Sequence, residues 1–430
     1  MQEYATVLLY AIPFFVLLIA IEHFVALYKR ENINHLFDVI SSLSSGISNV
    51  VKDILGLSIV IISYSYMVEH WSVMTIQNHW LLYILAFIGI DFAGYWSHRF
   101  SHEINIFWNR HIIHHSSEEF NLSCALRQSV SEIFAVFTIL FLPLALLGIP
   151  KEIIGIIAPL HLFAQFWYHT RLIGKMGWLE HIIVTPSHHR VHHAINPEYM
   201  DKNYGQIFIF WDKWFGTFQE EKENIAPVYG VTRAVKTWNP WIINFKHLWL
   251  LVLDFFRTNS FRDKIRIWFM PTGWRPEDVM EKYPVDYTKD IWNREKYDTE
   301  ASFSCKVWCG TQLIITLLFT LYFFSRIGSM EYHEIILYGI FIFIQIFSYT
   351  SLMDGSSLAP VSETVKLIFV LFIVYSQHFD WFGIKNIAPE LYYVVFAYFS
   401  ISFVITFYYF FFDRPKPVSA SYHSQNIAYV

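Results

Sequence analysis

Long apolar runs alternate with polar connections through most of this chain. Such runs lie near 5–28, 80–97, 131–149, 152–170, 304–327, 334–353, 363–378 and 390–412. Each approaches the roughly 20 apolar residues that carry an α-helix across a bilayer's hydrocarbon. The stretch 38–67 is mixed, with Asp38, Lys52 and Asp53, but its second half is apolar and could complete a tilted span. The pattern predicts an all-α, polytopic membrane helical bundle of about eight or nine spans, fewer if 131–149 and 152–170 form a hairpin that does not fully cross. The first run has no basic flank before it and no small-residue cleavage site after it, so it reads as a retained anchor.

Basic residues suggest an orientation. If the first helix ends on the cytosolic side at Lys29 and Arg30, nine spans put 98–130, 171–303 and 413–430 on that side, and most of the Lys and Arg with them. Four zones follow: N-terminal membrane helices at 1–79, a histidine-rich domain at 80–220, a polar or interfacial cytosolic segment at 221–303, and C-terminal membrane helices at 304–430. Within the third, 239–257 is apolar and Trp-rich, and suits either a membrane interface or a buried amphipathic helix. The last zone lacks dense polar chemistry and reads as a structural or lipid-facing bundle.

Composition agrees with a membrane protein. The chain is 54% hydrophobic, and only 16% of its 430 residues are charged, against about 25% in soluble domains. A net charge of −5 gives no reason to expect a nucleic-acid partner. The three cysteines offer neither a disulfide framework nor a Cys-rich metal site, and Cys305 and Cys309 read as packing residues.

The histidines change the picture. Twelve of the 20 fall between His98 and His193. His98 and His102 stand i, i+4; His111, His114 and His115 stand i, i+3, i+4; His189, His192 and His193 repeat that spacing, with His188 one step around the helix. Residues so spaced share a helix face, and neutral imidazole is a ligand for iron, copper, zinc and nickel. Three such clusters at one membrane face could converge on one site for two metal ions. Packed together without metal, they would leave many polar nitrogens short of partners. Haem ligation takes one histidine per helix face and fits poorly. His169 ends the run 152–170 at the level where the clusters should meet, and is a further ligand candidate. His161, two turns deeper, reads as a hydrogen-bonded core histidine, and His181 as structural.

The segments HRFSH, HIIHH and HRVHH resemble the three histidine boxes of the membrane fatty acid hydroxylase / sterol desaturase superfamily, and 201–218 resembles the stretch that follows its last box. The words HHSSEEFNLSCALRQS (114–129), FWYHT (166–170), TPSHHRVHH (185–193) and FMPTGWRP (269–276) are most similar to its alkylglycerol-hydroxylating branch. The resemblance implies a non-haem pair of iron ions that activates dioxygen. It implies His98, His102, His111, His114, His115, His189, His192 and His193 as metal positions, with His169 and His188 beside them. It implies hydroxylation of the ether-bearing carbon of an alkylglycerol, giving fatty aldehyde and glycerol, with tetrahydrobiopterin as reductant. Glu103 matches an acidic position beside the first box.

Candidates to support the ligands are also local, since ligating histidines usually give their second N–H to a carboxylate or carbonyl. Asp91 lies seven residues before His98, on the same face and inside an apolar run, where an acid points to function. Glu118, Asp212 and Asn203 are further candidates, with Glu119, Asp201 and Tyr204 nearby. The expected partners are a lipid substrate in the bilayer and an external electron donor or pterin. The residues that bind any pterin, the oligomeric state, and the choice between a bacterial inner membrane and the endoplasmic reticulum stay open. The boxes report an oxidant rather than a substrate, so sterol or fatty acyl hydroxylation or desaturation is the alternative. A metal transporter would string its ligands along several spans instead of gathering them at one face.

Overall fold

A computed structural model describes residues 2–418; the tail beyond them, placed above on the cytosolic side, lies outside the described residues. Among the described residues, six helices are long and apolar enough to cross a membrane: Gln2–Lys29, His79–Glu103, Phe303–Ser329, Tyr332–Met353, Leu358–Ser376 and Pro389–Phe412. The count is lower than the eight or nine expected. Residues 131–149 form short 3₁₀ and α-helical pieces, Val136–Phe141 and Leu142–Leu146, and 152–170 supplies only the helix Lys151–Phe163. Together they form a hairpin. Phe137 packs on Phe100 and Phe107 at one end, and Leu146 O accepts from Val73 N at the other. Pro143 and Pro150 remove backbone donors and Gly148 takes a positive φ of 69°, which breaks up what an apolar run alone would make a full span.

The helix Leu36–Ile54 escapes hydropathy for the opposite reason. Its serines are buried and, Ser41 aside, satisfied: Ser42 donates to Asp38 O at 2.8 Å, Ser45 to Gln128 O at 2.9 Å, and Ser44 meets Tyr349 Oη at 2.5 Å. Small residues let neighbouring chain come close, and a Cβ on Gly46 would stand 3.0 Å from Leu126 O. The helix runs antiparallel to Gln2–Lys29, with Tyr4 near the one start facing Asp53 near the other end. It thereby returns the chain to the far side, so that His79–Glu103 can again end where Lys29 does.

The C-terminal helices join this scaffold. Phe37, Ile40 and Val51 of the serine-rich helix pack in one core with Phe323, Tyr338 and Phe341. Cys305 and Cys309 are buried in that core as packing residues. The bundle is more polar than its sequence suggests. Lys366 Nζ lies 2.7 Å from Glu363 Oε1, and Gln345 Nε2 reaches Gln312 Oε1 at 2.9 Å and Tyr398 Oη at 2.6 Å, all inside the helices. At the end of the bundle that carries the histidines, Thr299 pairs with Pro417, and Asp354 receives Trp238 N and Tyr297 Oη. The segment 239–257 becomes the amphipathic helix Pro240–Arg257. His247, Leu251 and Asp254 are buried on one face, while Trp249 and Phe256 are exposed on the other.

Candidate metal centre

The histidine pairs one helical turn apart are the units from which the site is built. His98 and His102 sit in the last turns of His79–Glu103, His111 and His115 bracket the helical turn Ile112–His115, and His189 and His193 bracket the end of Pro186–His192. They gather into two groups, within each of which the candidate ligand atoms lie no more than 4.8 Å apart: His98, His102, His111, His115 and His192, then His114, His169, His189 and His193. Each i, i+4 pair serves one group. The middle histidine of each HxxHH turn crosses to the other: His114 joins the pair His189/His193, and His192 joins the pair His111/His115. The groups abut, with the His115 and His193 rings stacked at 4.3 Å.

The inward atoms are Nε2 throughout. His98–His111 (2.9 Å), His102–His115 (3.1 Å) and His192–His115 (3.1 Å) meet Nε2 to Nε2 in the first group. His189–His169 (2.8 Å), His193–His114 (3.1 Å) and His193–His189 (3.0 Å) do so in the second. The outward nitrogens explain the orientation. Nδ1 of His98 donates to Tyr204 O at 2.8 Å, that of His192 to Lys202 O at 2.9 Å, and that of His169 to Gln165 O at 3.0 Å. A ring whose proton is committed at Nδ1 presents a bare lone pair at Nε2. Lone pairs converging at these distances repel unless a cation lies among them. Burial, then the neighbouring rings, hold His111, His115, His189, His192 and His193 well below the ordinary imidazole range, so these rings are neutral and able to ligate. The donor set fits two metal ions.

Loop geometry after the third cluster aims the carbonyls. Asp201 and Asn203 take positive φ of 58° and 56°, a region Asp and Asn tolerate, and turn Lys202 O toward His192. Asn203 holds that turn through His188 O at 3.1 Å and Gln219 O at 2.7 Å. Asp212 accepts from Tyr204 N, Gly205 N and Thr217 Oγ1, each at 2.7 Å, and so fixes the peptide that orients His98. A Cβ on Gly205 would stand 2.8 Å from Asp212 Oδ2, so glycine lets this carboxylate close on the loop.

Other expected residues fall elsewhere. His188 belongs to neither group; its Nδ1 faces Thr185 N at 3.4 Å as part of the cap of Pro186–His192. Asp91 touches none of the nine clustered rings. It accepts from His161 Nε2 (2.7 Å), Ile207 N (2.8 Å), Phe208 N (3.1 Å) and Trp211 Nε1 (2.8 Å), so it pins the loop two turns below the site. Glu103 pairs with Arg99 at 2.9 Å on the outside of its helix. Glu118 accepts from Tyr297 N at 2.6 Å and faces Arg294 rather than the histidines. Phe120, Tyr168 and Trp108 pack on the clustered rings and keep water from them. No spacing pattern marks these three, because each reaches the site from a turn or a loop.

Residues 83–217 match the fatty acid hydroxylase family. Alkylglycerol monooxygenase of Homo sapiens is 34% identical over 388 residues, covering 89% of this chain and 84% of that protein. The enzyme of the same name from Danio rerio is 32% identical, over 91% of this chain and 86% of that protein. A shorter match, 28% identical over 35% of this chain and 46% of its partner, is to an ornithine lipid hydroxylase of Rhizobium tropici. No solved structure gives a significant match. The similarity to the alkylglycerol monooxygenases covers about nine-tenths of the chain, well beyond the histidine-bearing segment, and by it the chain belongs to the fatty acid hydroxylase family, as an integral membrane lipid monooxygenase.

Proposed function

We propose that the two histidine groups hold a pair of iron ions and that the enzyme hydroxylates the ether-bearing carbon of an alkylglycerol-type lipid. One observation carries the substrate: similarity to alkylglycerol monooxygenases spans nearly nine-tenths of the chain, while the match to the ornithine lipid hydroxylase covers about a third. A hydroxyl placed beside the ether oxygen makes a hemiacetal, which breaks down to a fatty aldehyde and glycerol. Tetrahydrobiopterin, or another external donor, provides the reducing electrons. In this reading residues 80–220 are the catalytic unit and 304–430 its supporting helices. The site faces the cytosol, the side on which Lys29 and Arg30 end the first helix.

Bound iron would supply dioxygen activation and the attack on the C–H bond. The protein's own part is orientation and exclusion. Carbonyls of Tyr204, Lys202 and Gln165 hold the Nδ1 protons of three rings, so their Nε2 atoms stay turned inward. Asp212 and Asn203 hold two of those carbonyls in place. Phe120, Tyr168 and Trp108 shield the centre from bulk water, and the apolar spans align the alkyl chain, so positioning selects the carbon that reacts.

Turnover of the purified enzyme on a 1-alkylglycerol with tetrahydrobiopterin, run beside sterol and fatty acyl substrates with a reductase, tests the reading. Pterin-dependent release of aldehyde is the expected result. Sterol or acyl oxidation in its place would overturn it.

A further inference from the structure

A cleft of about 150 Å³ opens at the edge of the five-histidine group, with His102 in its wall. Trp108 lies between this cleft and the centre, its ring 5.1 Å from that of His102 and 5.6 Å from that of His115. Val231 and Leu250 make part of the lining apolar, and Arg233 and Lys246 bring two positive charges.

Those charges lack counterions. Elsewhere in the protein a buried base faces a carboxylate: Arg127 with Asp38, Arg190 with Glu221, Arg275 with Asp254, Lys366 with Glu363. Among the described residues Arg233 makes no ion pair and no side-chain hydrogen bond, and Lys246 donates only to the Val235 carbonyl. Arg275 also lines the cleft, but Asp254 already neutralises it. The acid on the rim, Asp201, is over half exposed and leans toward His102 Nδ1 at 3.7 Å. Burial, then repulsion from Arg233 and Lys236, pushes the Lys246 ammonium down to about 8. Partly buried like charges without a partner are unfavourable, and an anion brought between them removes the cost. A guanidinium beside an ammonium suits the oxygens of a phosphate.

The surroundings indicate what carries the anion. Lys246 and Leu250 belong to the helix Pro240–Arg257, whose other face exposes Trp249 and Phe256, and the next segment adds exposed Phe261 and Phe269. An apolar, aromatic face beside a cationic cleft matches a membrane interface that delivers head groups. Resting on the ether-lipid reading above, we propose that this cleft is the head-group site of the substrate and takes an ether lipid whose glycerol bears a phosphate ester, gripped by Arg233 and Lys246. The three carbons of glycerol separate such a phosphate from the ether oxygen, and His102, in the wall of the cleft, belongs to the five-histidine group.

Binding, measured without turnover, tests this. Full-length enzyme in uncharged detergent micelles is titrated with 1-O-alkylglycerol 3-phosphate and with 1-O-alkylglycerol of equal chain length. The wild type is expected to bind the phosphate form roughly tenfold tighter or more. Arg233→Gln with Lys246→Gln erases that preference, and Arg233→Lys keeps most of it. Lys236→Gln, an exposed base outside the cleft, leaves it unchanged. Lys246→Gln alone carries the test if the double variant does not fold. Equal affinity for the two lipids, or a preference that survives in the double variant, would overturn the proposal. So would inorganic phosphate competing as well as the phosphorylated lipid, which would assign the cleft to a free ion. Aldehyde release is assayed separately: an intact binding preference without product strikes the ether-lipid reading and leaves the head-group site standing.

Discussion

The Asp212 carboxylate reaches the His98 ring through one peptide unit: Asp212 Oδ2 accepts from Gly205 N at 2.7 Å, and the carbonyl of that same peptide, Tyr204 O, accepts from His98 Nδ1 at 2.8 Å. Asp212 thus acts on the centre without touching it. Asp212→Asn turns an amide N–H toward one of three donors and loosens the Tyr204 peptide. Metal affinity of the five-histidine group should fall by about ten- to a hundredfold, the usual range for such indirect partners. Metal content after dialysis against graded chelator measures it, and unchanged retention would remove Asp212 from the ligand-orienting role.

The same carboxylate gives a pH signature. Burial pushes Asp212 up from 3.8 to about 6, against the lowering effect of its Thr217, Gly205 and Tyr204 hydrogen bonds. Between those values the folded chain keeps a proton that the unfolded chain has lost. Stability from this group therefore declines as pH rises through the window and is level on either side, by at most about 3 kcal/mol. Asp212→Asn does not titrate. The thermal stability lead of the wild type over this variant should shrink from about pH 4 to pH 6, as read by melting of both proteins in one detergent. A lead that widens over that range would contradict the assignment.

The division of the histidines predicts metal stoichiometry. His192→Ala removes a ligand from the five-histidine group and His189→Ala one from the four-histidine group. Each variant should retain about one of two metal ions and lose turnover. His188→Ala should retain both ions, because His188 lies in neither group and serves the cap with Thr185. Its expected cost is about 1 kcal/mol of stability. Elemental analysis of the three purified variants decides this, and loss of metal from His188→Ala would bring that ring back among the ligands.

Much of the centre was legible because ligand spacing is local. His98 and His102 need only one helix to meet, and the same holds for His111/His115 and His189/His193. Which group His114 or His192 joins is not local. It depends on how two short turns face each other after 116–185 has run to the far side of the bundle and back. His188 shows the limit of a motif: it shares the box with His189, but one residue around the turn puts its ring at the cap. Asp91 was legible as a buried acid with a purpose, yet its donors Ile207, Phe208 and Trp211 lie more than 110 residues away. Hydropathy erred in both directions. It overvalued apolar runs broken by Pro143 and Gly148, and it undervalued a serine-rich helix in which Ser42, Ser44, Ser45 and Ser48 find partners inside the protein.

The C-terminal bundle holds the last prediction, in a part of the sequence whose apolar character hid its chemistry. Glu363 accepts from Ser402 at 2.8 Å and from Ser348, and Lys366 Nζ lies 2.7 Å from its Oε1 and 3.0 Å from Ser402 Oγ. Both side chains are buried, and acids and bases at such depth persist by facing each other. Lys366→Met leaves an uncompensated carboxylate and should cost about 3–5 kcal/mol. Replacing the partner as well, in Glu363→Gln with Lys366→Met, removes the stranded charge and should restore most of that loss. Melting of the single and double variants in one detergent completes the cycle. If the double variant is as unstable as Lys366→Met alone, the pair is not coupled, and the loss comes from packing of the methionine among Ser348, Ser402 and Tyr398.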